Sequence, residues 1–112
     1  MTVLAKPLLV SKYAEAAQTT QYTVASGVRT ILDKFTATNV TGSAATLSVN
    51  LVPSGGTAGA SNTITLTKTL AAGDVYTFPE IVGHVLAGGE FVSTLAGTAT
   101  AIVIRISGRE IS

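Results

Sequence analysis

The residues with chemistry to offer are few. They are one histidine, His84, and the nearby carboxylates of Asp74, Glu80 and Glu90. Glu80 and His84 have the spacing that places two side chains on one face of a helix. Two ligands fall short of a zinc site, which takes at least three from the protein. A Ser-His-Asp triad would have to use His84, and no G-x-S-x-G nucleophile elbow accompanies it. Asp74 follows Gly73 and Glu90 follows Gly88-Gly89, which makes them turn and rim positions. A carboxylate pair for glycoside cleavage needs a fixed separation that sequence spacing does not supply.

Other routes to chemistry are closed in the same way. The chain has no cysteine, so it has no disulfide framework, thiolate metal site or thiol nucleophile. The loop Gly55-Gly56-Thr57-Ala58-Gly59 lacks the Gly-Lys-Ser/Thr ending of a phosphate cradle, and it opens a strand, not a helix. The absence of tryptophan weakens a carbohydrate-binding reading, which relies on flat aromatic platforms. Tyr13, Tyr22 and Tyr76 are able to stack on a ligand, but read first as interface or core-edge residues. The expectation is no catalytic residue, no metal ligand and no cofactor.

What must position the remaining residues is a β framework organised around Ala45 to Thr67. Thr46-Leu47-Ser48-Val49-Asn50-Leu51-Val52 and Thr63-Ile64-Thr65-Leu66-Thr67 alternate apolar and small polar residues, the period of a half-buried strand. Leu47, Val49, Leu51, Ile64 and Leu66 are expected in one core. Pro53 to Asn62, rich in glycine, forms the loop between them. Val28 to Val40 reads as a long strand with Ile31, Phe35 and Ala37 on one face. Asp33 shares their parity, so the strand is expected either to bulge or to project past the core there. Val75 to Phe78, Glu90 to Leu95 and Thr98 to Ser107 are further strands, with Ile102, Ile104 and Ile106 inward and Arg105 outward. Pro79 to Gly89 reads as one short helix, with proline at its first position and Gly88 at its stop. The sum is an all-β chain: a two-sheet antiparallel sandwich of jelly-roll type with one short helix.

Residues 1–17 read as an extended N-terminal arm before a sandwich domain at 18–112. Pro7 rules out a continuous helix, and Ser11 to Gln18 has room for one helical turn capped by Ser11. Two alternatives stand for the arm: an edge strand of its own domain, or a strap onto a neighbour. In the second case Leu4, Lys6, Pro7, Leu8, Leu9, Val10 and Tyr13 are the partner-binding residues.

Only 12% of the chain is charged, against about 25% in an average soluble domain. A skin this poor in charge and rich in Thr, Ser, Ala and Gly is suited to being covered by other protein. The net charge of +1 argues against nucleic acid as the main partner, and the seven basic residues look scattered from Lys6 to Arg109. Arg105 and Arg109 lie close, but two arginines are not a patch. No apolar run approaches the roughly 18 residues of a membrane span. The first ten residues, broken by Lys6 and Pro7, do not read as a signal peptide. Asn39-Val40-Thr41 matches a glycosylation sequon and is expected to be accidental.

Several stretches resemble small virion proteins of tailed phages and prophages. They are Thr20-Gln21-Tyr22-Thr23, Phe35-Thr36-Ala37-Thr38-Asn39, Leu51-Val52-Pro53-Ser54-Gly55-Gly56, Asn62-Thr63-Ile64, Leu70-Ala71-Ala72-Gly73-Asp74, Pro79-Glu80-Ile81-Val82-Gly83 and Ile106-Ser107-Gly108-Arg109-Glu110-Ile111. In size and style they are most similar to the capsid cement, or decoration, proteins of short-tailed phages. The resemblance implies a dimeric jelly-roll sandwich on the outer surface of an icosahedral capsid, stapling neighbouring major capsid subunits. Its partners would be the major capsid protein and itself, with no nucleic acid or membrane, and it brings no catalytic residues. Two other expectations compete with it. One is a receptor- or glycan-binding module of a virion or fimbria, working through the loops near Gly55 and Gly88, or a tail or fibre component. The other is a small hydrolase built on His84.

Overall fold

The computed structural model describes all of residues 1–112. Nine strands follow in order: β1 (Val3–Tyr13), β2 (Thr19–Thr23), β3 (Arg29–Asn39), β4 (Ala45–Val52), β5 (Thr63–Leu70), β6 (Val75–Tyr76), β7 (Val85–Leu86), β8 (Phe91–Ala96) and β9 (Ile102–Ile111). They form two antiparallel sheets. One runs β1-β9-β3-β6 with β7 also beside β3, and the other runs β2-β8-β4-β5. Their inner faces pack together as a sandwich over Leu32, Phe35, Ala37, Leu47, Val49, Val92, Ile102, Ile104 and Ile106, all fully buried. Each large aliphatic side chain there is worth about 1.5–3 kcal/mol of burial. The rings of Phe35 and Phe78 meet at 4.7 Å and add an aromatic contact.

Ile102, Ile104 and Ile106 point inward and Arg105 outward, as alternation requires. The strand that carries them starts later than expected, at Ile102. Residues 97–101 are instead a turn and bend, with Thr100 at φ 52°.

Bulges explain which residues changed faces. The β3–β9 register slips between Leu32 and Lys34, so Asp33 is the extra residue. Before it Thr30 and Leu32 are buried, and after it Phe35, Ala37 and Asn39 are. Ile31 therefore lies on the outer face, away from Phe35 and Ala37. In β5 the register slips twice, and Thr67 takes φ 52°. Thr65 and Leu70 point inward, Ile64 is half-buried against the core, and Leu66 is 77% exposed instead of buried.

The short helix over Pro79 to Gly89 does not form. One turn begins, with the N–H groups of Ile81 and Val82 both donating to the Phe78 carbonyl, and then Gly83 takes φ 92°. Its N–H donates to the Leu32 carbonyl and the Leu32 N–H donates to the His84 carbonyl, so the segment runs on as β7 beside β3. Sheet pairing outbids the helix at a glycine that supports helix poorly. A single 3-10 turn at Ala60–Asn62 is the only helical piece.

Of the two alternatives for residues 1–17, the fold holds the edge strand. β1 pairs with β9 from Val3↔Ile111 to Tyr13↔Val103. Leu8 and Ala14 belong to the common core, so residue 17 is no structural boundary. The helical turn at Ser11 to Gln18 is likewise absent, because β1 continues to Tyr13. The Ala14 N–H then donates to the Ile102 carbonyl, and the Glu15 carbonyl accepts from Ala96, which carries the chain from one sheet to the other.

Candidate interaction surface

Glu80 and Glu90 are taken up in separate structural hydrogen bonds, and exposed His84 makes no side-chain hydrogen bond. With no helix under them, Glu80 and His84 lose the shared face. Glu80 closes one side of the sandwich: its Oε2 accepts from Thr65 on β5 at 2.6 Å, and its Oε1 accepts from the Tyr76 hydroxyl at 2.7 Å. Burial opposes its ionisation, but these hydrogen bonds outweigh it and hold the carboxyl below its usual value. Glu90 turns back to accept the Ala87 N–H at 2.6 Å. Asp74 sits in the turn before β6. No group of three His, Cys, Asp or Glu side chains converges as metal ligands do. The one surface hollow, about 330 Å³ and open, is lined by Asp33, Lys34, Thr77, Pro79 and Val82. Its only carboxylate is already bound to an arginine.

Glu110, which the sequence did not single out, makes the matching clasp at the other side. Its Oε2 accepts from the Tyr22 hydroxyl on β2 at 2.5 Å, and its Oε1 accepts from Lys6 Nζ on β1 at 3.3 Å. Tyr22 also shares a 2.8 Å hydrogen bond with buried Thr30 of β3. Burial, then the hydrogen bond to the Glu110 carboxylate, pushes the Tyr22 hydroxyl up to about 12. The same bond, ahead of Lys6, pulls the Glu110 carboxyl down. The sequon is structural too. Asn39 is fully buried, and its Nδ2 donates to the carbonyls of Ser43 and Leu70, so it cannot present itself to a glycosylating enzyme.

The seven N-terminal candidates divide in two. Leu8 is 9% exposed and Leu9 is packed against the core, so neither is free to meet a partner. Lys6 is tied to Glu110. Leu4, Pro7, Val10 and Tyr13 remain exposed along the edge of the sheet.

The two outer faces differ in kind. That of the four-stranded sheet carries hydroxyls such as Thr46 and Ser48, with exposed Leu95 opposite Ser48. The loop 53–62 folds back at its end, where Asn50 Nδ2 donates to the Gly59 carbonyl, Asn62 Oδ1 and Thr63 Oγ1. The outer face of the five-stranded sheet gathers charge. Register sets Val3, Ile111 and Arg29 in one row, Ala5, Arg109, Ile31 and Val85 in the next, then Pro7, Ser107 and Lys34. Arg105 beside Thr36 follows, and then Tyr13, Val103, Thr38 and Val75. Four of the seven basic residues thus share one face, which the sequence had shown only as scattered positions. The missed signal was parity: Arg105 and Arg109 fall on the same side of β9, and the bulge at Asp33 brings both Arg29 and Lys34 of β3 to that same face. Asp33 is the one acid there, and it takes a two-point hydrogen bond from Arg109 at 2.9 and 3.0 Å.

No protein-family model matches the chain, and no curated protein matches its sequence. The fold is similar to that of a solved structure described with the words "Bacillus endospore appendages form a novel family of disulfide-linked pili". The TM-score is 0.56 at 16% identity, over 99% of this chain and 88% of that one. The likeness is one of fold. A chain without cysteine has no means of joining a disulfide-linked assembly by that bond.

Proposed function

We propose that this chain is a structural subunit with no reaction of its own, and that it works pressed against protein neighbours. The observation that carries the reading is β1. It is an 11-residue strand at the end of its sheet, with Leu4, Val10 and Tyr13 exposed along it. An edge strand offers unpaired N–H and C=O groups to another strand, and here Lys6, Pro7 and two register slips interrupt that edge but leave apolar stretches on either side of them. Two copies meeting edge to edge across a two-fold axis would join their sheets and hide those groups. The low charge of the chain fits the same use.

The place we assign is the outer surface of an icosahedral phage capsid, where the homodimer staples major capsid subunits. That placement rests on the resemblance of the strand-and-turn motifs to cement proteins. The jelly-roll reading of the sandwich is supported by its strand order, in which β9 enters between β1 and β3 and β8 between β2 and β4. The test is to strip the protein from purified particles and heat them. The expected result is earlier rupture, reversed by adding the wild-type chain back but not the Leu4→Lys/Val10→Lys variant. Particles that survive equally well without it would sink the proposal.

A second reading, a subunit of a surface appendage, is favoured by the fold similarity to the pilus structure. Here the links would be non-covalent, since the chain has no thiol. Electron microscopy of the purified chain separates the two readings: filaments support the appendage, and discrete dimers support the staple.

A further inference from the structure

We infer that the outer face of the five-stranded sheet is a docking surface for an acidic, partly apolar protein surface. The inference deepens the assembly reading by naming the chemistry of the partner.

Charge is the first argument. Arg29, Lys34, Arg105 and Arg109 against Asp33 give this face a net +3. The three remaining lysines against five carboxylates give the rest of the molecule −2, which restores the total of +1. Those three lysines are spoken for: Lys6 by Glu110, Lys12 by Glu15, and Lys68 over the Tyr76 ring at 4.4 Å. Arg29, Lys34 and Arg105 make no ion pair at all. A nearly neutral protein has thus collected its unpaired cations on one side. Arg105 and Arg109 lie about 13 Å apart along one of its strands. Partner carboxylates at a like spacing would meet them.

The residues between and beside the cations decide the class of partner. Val3, Tyr13, Val75 and Val85 are each about half exposed on the same face. Ile31, Val103 and Ile111 are half-buried between them. Arginine with tyrosine and apolar neighbours is the composition of protein interfaces. A phosphate backbone would leave those apolar groups uncovered and would call for more cations than three net charges. Arg109 is already braced by Asp33, so its guanidinium is fixed in place and little side-chain freedom is lost on docking.

The experiment measures binding of the full chain to three labelled probes: a random Glu/Tyr copolymer, polyglutamate, and a short DNA duplex. Two double variants lower the net charge by the same amount on different faces. Arg29→Gln/Arg105→Gln alters the basic face, and Thr20→Glu/Thr69→Glu alters exposed positions of the other sheet. Thermal unfolding checks that both remain folded. The expected result is that wild type binds the Glu/Tyr copolymer more tightly than the other probes. The arginine variant should lose roughly tenfold, and the threonine variant should stay near wild type. Equal loss in both variants, no loss in either, or tighter binding to DNA would overturn the inference. Particle survival tests the assembly reading separately. A staple that tolerates the arginine changes and binds no copolymer would retain its function and lose this face.

Discussion

Gly108 should be the least replaceable glycine of the chain, and replacing it with alanine tests the bulge and the sheet register together. It lies buried on β9 opposite Leu32, where β3 bulges at Asp33. A Cβ there would fall on the Ile31 carbonyl oxygen, well inside the 3.0 Å that real Cβ atoms keep, and 2.8 Å from Leu8 Cδ1. The leucine can rotate away. The carbonyl belongs to a paired strand, so the two central strands must part. Forcing an extra carbon into a packed interior costs about 1–3 kcal/mol. For a chain of this size each kcal/mol lowers the melting temperature by about 4–8 °C. Gly108→Ala should therefore melt roughly 5–20 °C below wild type in a circular-dichroism scan. Gly42→Ala is the control, since a Cβ at Gly42 meets nothing within 4 Å. It should hold steady or gain up to about 1 kcal/mol from a stiffer unfolded chain. If Gly108→Ala melts with wild type, the register of β3 on β9 is wrong.

Three further outcomes follow from the core and the clasps. Phe35→Ala removes a fully buried ring and should cost about 3–5 kcal/mol by urea titration, whereas Leu66→Ala, on the exposed side of the β5 bulge, should stay within about 0.5 kcal/mol. The Glu110, Glu80 and Glu15 carboxyls are all lowered in the fold from 4.5, so their contribution is present above that value and fades as pH falls through the folded values. Urea midpoints should accordingly drop below about pH 4.5, and Glu110→Gln should flatten part of that decline. Tyr22 runs the opposite way: raised from 10.0 to about 12, it stabilises below pH 10 and the benefit is lost as pH climbs toward 12. Tyr22→Phe should remove that alkaline dependence, which urea midpoints measured between about pH 9 and 11.5 would reveal.

The parts of the fold legible in the sequence are those where alternation runs unbroken. Ile102, Ile104 and Ile106 kept their faces because β9 carries no bulge of its own through them. Leu47, Val49 and Leu51 likewise hold the inward parity of β4. Leu66 and Ile31 were misplaced because one extra residue reverses parity, and nothing local in the Thr-rich β5 marks where the extra residue falls. In β3 a clue did exist: an aspartate on an apolar parity is an energetic contradiction that the bulge resolves. The segment after Pro79 carried true helix signals, and pairing with β3 overrode them. The basic face was invisible for a different reason. Its four cations lie up to 80 positions apart in the chain, and only the antiparallel pairing of β3 with β9 makes them neighbours.

The order of strands has a bearing on how the molecule comes to exist. The strand joining β1 to β3 is β9, and the strand joining β2 to β4 is β8. While a ribosome is still adding residues, the first 90 can make hairpins but neither sheet has its middle. Leu8, Phe35 and Leu47 wait with their cover incomplete until Phe91–Ala96 and Ile102–Ile111 emerge and fill both gaps. Maturation is thus a late closure of long-range pairs, slow by topology. Through that interval the nascent chain depends on its sparse charge, or on a chaperone, to keep copies apart.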